Sequence, residues 1–310
     1  MFCTHSHRRL EVGTPTDTFP DIIEMSGSNT GPAPLGTPTN FKKWIDEARP
    51  SLLPPVGNRM MYNGSQFQVM IIGGPNQRDD FHVEKGEELF FQIEGDMVLD
   101  VMQDGKRVNL PIKEGEIFVL PVDVPHSPQR WENTIGLVIE RVRRTGTEMD
   151  TLRWYEKGTN KIEYQEIFYC ADLGTQIKEC IIRYFGMKDA GKIEGEFGIA
   201  DAEPKIHTPA PCSLQGNIDA AGTGAVTAHD YKSEFSYHIV KGAVTDEKLP
   251  CVPGGETFLW QMKGCSTVGG ASMAEGDVML LPIAATDDAP KVTAGGNDCV
   301  LLCVVNTEVV

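Results

Sequence analysis

Two histidines and one carboxylate in the segment between residues 78 and 130 could bind a metal ion. His82, Glu88 and His126 make up the ligand set of the facial triad, which holds non-haem Fe(II) on one side and leaves the opposite coordination positions open. A substrate and O₂ can bind together at those open positions. The chain contains 7 histidines, and a lone buried histidine is often a hydrogen-bonded core residue, so both interpretations stay open for each one alone.

Two further carboxylates compete with Glu88 for the metal. Glu84 and Glu87 lie beside Lys85, where both can stay solvated, whereas Glu88 begins the apolar run at residues 89–91. We therefore expect Glu88 to be the ligand.

The spacing of the three candidate ligands indicates how the chain would position them. His82 and Glu88 are six positions apart, an even spacing that would suit one face of a strand, although a lysine and a glycine are expected to interrupt that strand. His126 follows two prolines, which are expected to stiffen a loop and to orient its imidazole.

Two arginines and a glutamate accompany these ligands and could recognise a substrate. Arg78 and Arg130 flank the two histidine segments, and an arginine fork suits a carboxylate or an oxygen anion. Glu140 ends the apolar run at residues 135–139 and needs a partner if that strand face is buried. Surface ion pairs for the arginines and a solvated strand end for Glu140 are the alternatives. A site with all three groups fits a small acid that also carries a hydrogen-bond donor.

Short β-strands dominate the pattern between residue 59 and residue 142. They are rich in β-branched and aromatic residues and are predicted at residues 67–72, 88–93, 97–102, 108–112, 117–120 and 135–142. The dipeptide Asp104-Gly105 marks a hairpin turn between two of them. Many short strands without intervening helices indicate a closed barrel or a sandwich.

Two helices are predicted outside this strand-rich segment. Asn40 can cap the first, which carries apolar residues at helical spacing and ends at Pro50. The second covers residues 172–187 and is expected to link two β units. Residues 13–40 are dominated by Pro, Gly, Ser and Thr, which is typical of a disordered or loosely docked leader.

The second half of the chain repeats two blocks of the first half in the same order. The segment GEELFFQIEG at residues 86–95 returns as GGETFLWQMKG at 254–264, and EGEIFVLP at 114–121 returns as EGDVMLLP at 275–282. The chain therefore reads as two copies of one barrel. We divide it into a leader at 1–40, a catalytic barrel at 41–160, a linker with a helix at 161–190 and a second barrel at 191–310.

The second copy lacks every candidate ligand. Counting from the matched glycine and proline pairs His82 with Cys251, Glu88 with Thr257 and His126 with Asp287. The strand and turn residues around these positions persist, so ligands that served only the fold should have persisted with them. The contrast favours a metal site in the first copy and predicts a metal-free structural barrel in the second.

The composition argues against several classes of protein. A formal net charge of −16 and a pI near 4.9 count against a nucleic-acid partner, which would need a basic surface. No apolar run approaches the length of a transmembrane helix, and residues 1–10 lack the apolar region of a secretory signal. The 8 cysteines form no CxxC pair, which is typical of reduced thiols, so we expect a cytoplasmic protein.

Several longer motifs resemble one enzyme family. The segments 54–58, 72–76, 81–88, 92–99 and 124–130 read PPVGN, IGGPN, FHVEKGEE, QIEGDMVL and VPHSPQR. Together they closely resemble the 3-hydroxyanthranilate 3,4-dioxygenases, a family of cupin enzymes. The likeness is dense over residues 52–155, continues in FYCADLGTQ at 168–176 and is weak afterwards. It implies an all-β fold of two cupin barrels, each a jelly-roll double-stranded β-helix, joined by a short helical linker.

The resemblance also implies a reaction and a role for each site residue. The reaction is the opening of the 3-hydroxyanthranilate ring by O₂ to 2-amino-3-carboxymuconate semialdehyde, which cyclises to quinolinate on the route from tryptophan to NAD. By motif, His82, Glu88 and His126 would bind Fe(II), Arg130 and Glu140 would hold the substrate, Arg78 would lie near O₂, and Asn58 and Pro128 would line the pocket.

Members of this family differ in their C-terminal half. Bacterial members carry a second, rubredoxin-like iron site made by paired CxxC motifs, and this chain has no such motif. It resembles the long two-cupin form, in which one chain imitates a dimer of single cupins, so we expect a monomer.

Two rival interpretations follow from the same residues. One is another mononuclear metal cupin, such as a thiol dioxygenase or an isomerase, and the arginine and glutamate set argues against it. The other is a non-catalytic two-cupin binding protein, and the intact ligands of the first copy argue against that one.

Overall fold

The computed structural model describes residues 31–52, 57–193, 207–230, 234–282 and 289–307. Residues 1–30 of the expected leader, most of the PPVGN motif and Asp287 therefore lie outside the described residues. Within the described ranges, strands make up most of the ordered elements. No helix in these ranges is both long and apolar enough to cross a membrane.

The first half of the chain consists of short strands with one helix before them and one after them. In chain order its elements are β1 (Thr39–Asn40), α1 (Phe41–Ala48), β2 (Asn58–Asn63), β3 (Phe67–Gly73), β4 (Asp80–Val83), β5 (Glu88–Glu94), β6 (Met97–Gln103), β7 (Lys106–Ile112), β8 (Glu116–Leu120), β9 (His126–Arg130), β10 (Ile135–Arg141), β11 (Asp150–Tyr155), β12 (Ile162–Phe168) and α2 (Leu173–Asp189). A short 3₁₀ turn at Arg49–Ser51 follows α1.

The second half has the same general order of elements. It contains β13 (Cys212–Ser213), α3 (Leu214–Ala220), β14 (Ala225–Asp230), β15 (Phe235–Lys241), β16 (Val244–Lys248), β17 (Thr257–Lys263), β18 (Ser266–Val268), β19 (Ala271–Met273), β20 (Asp277–Leu281), β21 (Lys291–Ala294) and β22 (Val300–Asn306). The repeated sequence blocks form β5 and β17, and β8 and β20, so the repeat is structural as well as sequential.

Each half closes two antiparallel sheets over an interior. The sheets of the first barrel have the orders β13-β8-β5-β10-β3-β2 and β12-β11-β4-β9-β6-β7. Those of the second have the orders β1-β20-β17-β22-β15-β14 and β16-β21-β18-β19. β12 lies past the boundary suggested at residue 160, and it is hydrogen-bonded to β11 in the first barrel.

Each barrel receives an edge strand from the segment that precedes the other barrel. β1 pairs with β20 of the second barrel, with Asn40 opposite Asp277. β13 pairs with β8 of the first barrel, with Ser213 opposite Glu116. Asp277 and Glu116 are equivalent positions in the repeat, so the exchange is symmetric. The last residues of the expected leader are therefore docked on the second barrel.

Both predicted helices form where their sequence patterns put them. The Asn40 side chain caps α1 by accepting from the Lys43 N–H at 3.0 Å. Asp172 caps α2 in the same way, and its apolar face packs into the core of the first barrel through Leu173, Ile177, Cys180, Ile181 and Tyr184. α2 thus covers the first barrel as well as leading to the second.

The predicted strands and the predicted turn also form. The six strands expected in the first half appear as β3, β5, β6, β7, β8 and β10. Asp104 and Gly105 both have positive φ angles, 49° and 69°, as a two-residue turn of the primed type requires. The six predicted strands do not include β1, β2, β4, β9, β11 and β12.

A large apolar cluster joins the two barrels. It combines residues of β3, β5 and β10 with residues of β15, β17 and β22. Phe67 and Phe235, which occupy equivalent strand starts, stack with centroids 5.5 Å apart and planes 14° apart. The Tyr62 hydroxyl donates to the Val278 carbonyl at 3.1 Å. Each barrel therefore buries the outer sheet face of the other.

Candidate metal centre

The three predicted ligands converge inside the first barrel from three different strands. His82 on β4 and His126 on β9 are direct cross-strand partners in one sheet. Glu88 begins β5 in the other sheet. One donor atom of each lies within 4.8 Å of the other two, and all three side chains are buried. The expected interruption at Lys85 and Gly86 lies between β4 and β5, so His82 and Glu88 are on separate strands. The expectation that His126 lies in a loop is wrong, because His126 begins β9.

His126 and Glu88 face each other, and one carboxylate oxygen of Glu88 has no hydrogen-bond partner among the described residues. The His126 Nδ1–H donates to the Val124 carbonyl at 3.0 Å, which leaves Nε2 as the free ring nitrogen. That nitrogen lies 2.8 Å from Glu88 Oε1, which accepts no hydrogen bond from the described residues. Two lone-pair donors aimed at one place fit a cation.

The electrostatics of this pair point the same way. Burial alone would raise the pKa of Glu88 and lower that of His126. Their mutual attraction outweighs burial, so the pKa of Glu88 is lowered and the pKa of His126 is raised. The field that draws a proton between them would also draw a divalent metal.

His82 is held by a carboxylate that the sequence did not indicate. Its Nε2 lies 2.7 Å from Asp150 Oδ2, at the start of β11. Burial lowers the pKa of His82 despite this contact, so the imidazole is neutral at neutral pH, as a metal ligand must be. A carboxylate that orients a ligand histidine is a common second layer of metal sites.

Among the residues that the structure describes, two other groups of donor atoms overlap with this set but are less suited to a metal. One combines His82 with Glu84 and Asp150, and the other combines Glu84 with Glu88 and Glu140. Burial raises the pKa of Glu84 well above its usual value and so disfavours the ionised form that binds a metal, and Arg143 already contacts this carboxyl group. The set of His82, Glu88 and His126 therefore fits a metal best.

Arg143 ties the remaining carboxylates together beneath the ligands. It forms ion pairs with Glu84, with Glu140 Oε2 at 2.5 Å and with Asp150 Oδ2 at 2.9 Å. Burial raises the pKa of Glu140 to about 7, even though Arg143 opposes the shift. Glu140 therefore has a buried partner, as strand alternation required, and it can hold or release a proton near neutral pH.

The competing carboxylates are not solvated, contrary to the expectation from Lys85. Glu84 is only 3% exposed and pairs with Arg143. Glu87 is 8% exposed and accepts a hydrogen bond from the Glu234 N–H at 2.9 Å. The choice of Glu88 thus rests on where the side chains lie and not on the solvation of its neighbours.

Arg130 is a buried cation with unsatisfied donors. Its side chain is fully buried, and its Nη1 donates to Gln92 Oε1 at 3.0 Å and contacts Met97 Sδ at 2.9 Å. Its Nε and Nη2 find no hydrogen-bond partner in the described ranges. Burial lowers its pKa to about 10, which still leaves the guanidinium charged at neutral pH. An unpaired buried guanidinium is costly, so this arrangement calls for an anionic ligand.

Arg78, the other predicted arginine, already has a carboxylate partner. Its Nε donates to Asp80 Oδ1 at 3.1 Å, and its Nη2 forms an ion pair with the same carboxylate. Its carbonyl accepts from Ser127 Oγ and Gln129 Nε2 on β9. The segment of Arg78 is therefore tied to the strand that carries His126 and Arg130.

The two predicted pocket residues lie on strands of the same barrel. Asn58 begins β2, and its Nδ2 lies 3.9 Å from Met70 Sδ. Pro128 lies on β9 opposite Leu99 and is partly buried. That both line a substrate pocket stays a prediction.

The strand register of the second barrel corrects two of the counted equivalences, and the first correction is that His126 corresponds to Pro290 and not to Asp287. Just beyond the pairing of β16 with β21, the Leu249 N–H donates to the Pro290 carbonyl. In the first barrel the equivalent pair of positions is His82 and His126. His82 thus corresponds to Leu249 and not to Cys251, because the loop before β17 is longer than the loop before β5. Glu88 corresponds to Thr257, as counted.

Asp150 and Arg143 are residues of the candidate site that the sequence did not lead us to expect. Asp150 has a signal, since it alternates with the apolar residues Leu152 and Trp154 on the buried face of β11. Arg143 has none, because its three carboxylate partners come from three separate places in the sequence.

A family model described as 3-hydroxyanthranilic acid dioxygenase matches residues 35–185. The chain is similar to the 3-hydroxyanthranilate 3,4-dioxygenase of Xenopus tropicalis, with 39% identity over 264 residues that cover 80% of this chain and 92% of that protein. It is also similar to the 3-hydroxyanthranilate 3,4-dioxygenase of Homo sapiens, with 40% identity over 269 residues, 82% of this chain and 92% of that protein. The chain belongs to the 3-hydroxyanthranilic acid dioxygenase family.

A solved structure shows the fold of this family member independently. A cupin 2 conserved barrel domain protein from Leptotrichia buccalis is similar over 90% of this chain and all of that chain, with a TM-score of 0.50 and 11% identity. At that identity the likeness concerns the fold alone. The expected all-β fold of two cupin barrels is confirmed.

Proposed function

We propose that this chain is an Fe(II)-dependent dioxygenase that opens the ring of 3-hydroxyanthranilate with O₂ and forms 2-amino-3-carboxymuconate semialdehyde, the precursor of quinolinate in NAD synthesis from tryptophan. The observation that carries the proposal is the fully buried Arg130 guanidinium, whose two unpaired donors lie in the same barrel as a convergent two-histidine, one-carboxylate set. Membership of the 3-hydroxyanthranilic acid dioxygenase family supports the choice of substrate.

His82, Glu88 and His126 would hold the metal. Fe(II) at this site supplies chelation of adjacent oxygen and nitrogen donors and the electron density that O₂ needs. Neutral imidazole nitrogens and one carboxylate oxygen are the donors that such a centre takes. Val124 and Asp150 fix the two rings through the hydrogen bonds that the metal does not use.

Arg130 binds the substrate carboxylate. Its guanidinium feels the charge of Glu88, which raises its pKa against the effect of burial, so the two groups are near each other. A planar guanidinium can donate to both oxygens of a carboxylate and hold an aromatic ring in one orientation. The buried surroundings exclude water from that contact and strengthen it.

Glu140 handles a proton next to the substrate. Its Oε2 accepts from Arg143, which leaves Oε1 as the oxygen turned to other partners. With a pKa raised to about 7 by burial, Oε1 can accept a proton from a hydroxyl or amino group and return it. Arg78, Asn58 and Pro128 would complete the pocket, with Arg78 on the side of O₂.

The second barrel would have no metal of its own and would act as a structural partner. Its equivalents of the two histidines are Leu249 and Pro290, which cannot bind iron. Because the second barrel covers the outer face of the first, the protein would act as a monomer. The chain would be divided into the two barrels proposed from the repeat, and the protein would act in the cytoplasm.

The direct test is turnover. Purified protein is loaded with Fe(II) under nitrogen, mixed with 3-hydroxyanthranilate and air, and followed by the absorbance of the ring-opened product and by O₂ uptake. We expect equal amounts of product and consumed O₂. Cysteine serves as the comparison substrate for a thiol dioxygenase. A protein that binds iron but consumes O₂ only with cysteine, or with neither compound, would contradict the proposal.

A further inference from the structure

The Arg130 guanidinium crosses the first barrel and lies against a glycine in the opposite sheet. Arg130 is on β9, whereas Gln92 and Gly136 are cross-strand partners on β5 and β10. A Cβ added to Gly136 would lie 2.8 Å from Arg130 Nη1, 3.1 Å from Arg130 Nη2 and 3.0 Å from Gln92 Oε1. Any side chain at position 136 would therefore displace the guanidinium, the amide or both.

Gln92 holds one edge of the guanidinium and leaves the other edge free. Its Nε2 donates to the Glu94 carbonyl at 3.2 Å, which turns Oε1 toward Arg130 Nη1 at 3.0 Å. Met97 Sδ lies against the same nitrogen at 2.9 Å. Nε and Nη2, which lack partners in the described part of the chain, form the edge that a carboxylate can occupy.

The second barrel shows what the glutamine does without an arginine. Gln261 is equivalent to Gln92, and its Nε2 donates to the Lys263 carbonyl at 2.8 Å in the same way. Its Oε1, however, accepts from Ser266 Oγ at 2.5 Å. The glutamine is thus part of the shared fold, and only its oxygen changes partner.

The glycine is tied to the arginine and not to the fold. Counting along the paired strands matches Arg130 with Ala294 and Gly136 with Leu301. Both of these second-barrel residues are buried in its apolar core. The first barrel thus combines a large Arg130 with a small Gly136, whereas the second combines a small Ala294 with a large Leu301. This is expected if Gly136 leaves room for the Arg130 side chain.

We propose that Gln92 and Gly136 are positioning residues that hold the Arg130 guanidinium in the orientation that reads the substrate carboxylate. The proposal rests on the proposed function and deepens it, because it names residues that set selectivity without touching the substrate. Their loss should weaken discrimination in favour of the carboxylate more than it weakens turnover itself.

The test compares 3-hydroxyanthranilate with 2-aminophenol, which lacks the carboxylate. The measured quantity is the ratio of the two kcat/KM values in the Fe(II)-loaded protein. Gln92→Leu and Gly136→Ala should each lower this ratio roughly tenfold or more, because each removes or misdirects a hydrogen bond to a charged group. Gln261→Leu is the matched control, since it removes the equivalent buried amide where no arginine is present, and the ratio should not change.

A double-mutant cycle and a binding measurement separate the possible failures. In an Arg130→Ala background, Gly136→Ala should have no further effect on the ratio, and it should raise the melting temperature by filling the space. Calorimetry under nitrogen gives the dissociation constants of both compounds for every variant. If wild type shows no preference for the compound with the carboxylate, the proposed function is overturned. If wild type shows it and both Gln92→Leu and Gly136→Ala retain it in full, the positioning role is overturned.

Discussion

Glu87 of the first barrel and Glu234 of the second bind each other's backbone. The Glu87 N–H donates to Glu234 Oε2 at 2.8 Å, and the Glu234 N–H donates to Glu87 Oε2 at 2.9 Å. Arg141 joins the pair, since its Nε donates to Glu234 Oε1 and its Nη2 to the Lys85 carbonyl. Glu87 directly precedes Glu88, so the second barrel holds the segment that leads into the carboxylate ligand.

An equivalent contact is made by the second barrel, in which a glutamate binds the backbone of the first barrel. Glu256 is equivalent to Glu87, and its carboxylate accepts from the N–H groups of Ser65, Gln66 and Phe67 in the first barrel. Glu87 and Glu256, which occupy the same position of the repeat, are thus both interface residues. The residue after this position is a metal-ligand candidate in only one copy.

Glu234→Ala should therefore weaken metal binding at a distance. It removes the carboxylate that accepts from the Glu87 N–H and from Arg141 Nε, which should cost about 1–3 kcal/mol of unfolding free energy. Loss of such outer support typically lowers metal affinity by roughly 10- to 100-fold. Denaturant titration and chelator competition for Fe(II) measure the two effects. Glu247→Ala, on an exposed stretch of β16, is the control and should change neither.

Removal of any one ligand should abolish activity while the barrel still folds. His82→Ala, Glu88→Gln and His126→Ala each leave two protein donors, so we expect iron to be lost during gel filtration. Glu84→Gln is the matched control, because it makes the same change at a buried neighbouring carboxyl group outside the set of His82, Glu88 and His126. Iron content and circular dichroism are measured on all four proteins. An active, iron-loaded Glu88→Gln protein, with loss in Glu84→Gln, would show that the wrong carboxylate was chosen.

The sequence indicated three candidate ligands that the fold brings together, but it did not predict all of the strands that carry them. His82, Glu88 and His126 were found by residue type and by their absence from the second copy. β4 has only four residues and β9 contains a proline between polar residues, so neither shows the apolar alternation of a strand. Both nevertheless form, because they pair with each other and each also pairs with a longer strand, β4 with β11 and β9 with β6.

Contacts distant in sequence were beyond prediction for a different reason. Arg143 meets Glu84 and Asp150 only when three strands come together, and no local pattern records that meeting. The exchanged edge strands β1 and β13 have two residues each, which is too short for any periodicity. Their position follows from the packing of one barrel on the other.

The protein should bind a single tightly held iron per chain. The second barrel has Leu249, Thr257 and Pro290 where the first has its ligands, and these side chains cannot hold Fe(II). Elemental analysis after dialysis gives the stoichiometry. Cys251→Ala and Asp287→Ala should leave turnover nearly unchanged. Two tightly bound irons per chain would contradict the assignment of a metal-free second barrel.

Acid should weaken the interface through Glu148. Burial opposes ionisation of this residue, but hydrogen bonds from Arg141 outweigh it and lower its pKa from 4.5 to about 2. A folded-state pKa below the unfolded value means that the carboxylate stabilises the fold above pH 4.5 and loses this effect as the pH falls toward 2.

Glu148→Gln should therefore destabilise the protein at pH 7 by about 1–3 kcal/mol, and the difference from wild type should shrink below pH 4.5. Urea titrations at pH 7 and at pH 3.5 to 4 measure it. A difference that stays constant over this range would mean that the Arg141 contact is not the cause.

Arg130→Ala should lower kcat/KM for the substrate that carries a carboxylate and leave iron binding unchanged. A hydrogen bond to a charged group contributes about 1.5–3 kcal/mol, or roughly ten- to a hundredfold in an equilibrium constant. The loss of kcat/KM on 3-hydroxyanthranilate should reach at least that factor, and iron content should not change, because Arg130 is not a ligand. The cost is expected to be larger than for an exposed arginine, since the guanidinium is fully buried and Glu88 loses a neighbouring positive charge.

Arg130→Lys should restore only part of the lost activity. An ammonium group supplies the charge but not the planar fork, and it cannot hold the Gln92 oxygen and a carboxylate in one plane. The comparison with 2-aminophenol decides the interpretation, because that compound has no carboxylate to read. If Arg130→Ala penalises both compounds equally, Arg130 acts on the iron site or on the fold, and its assignment as the carboxylate-binding residue is wrong.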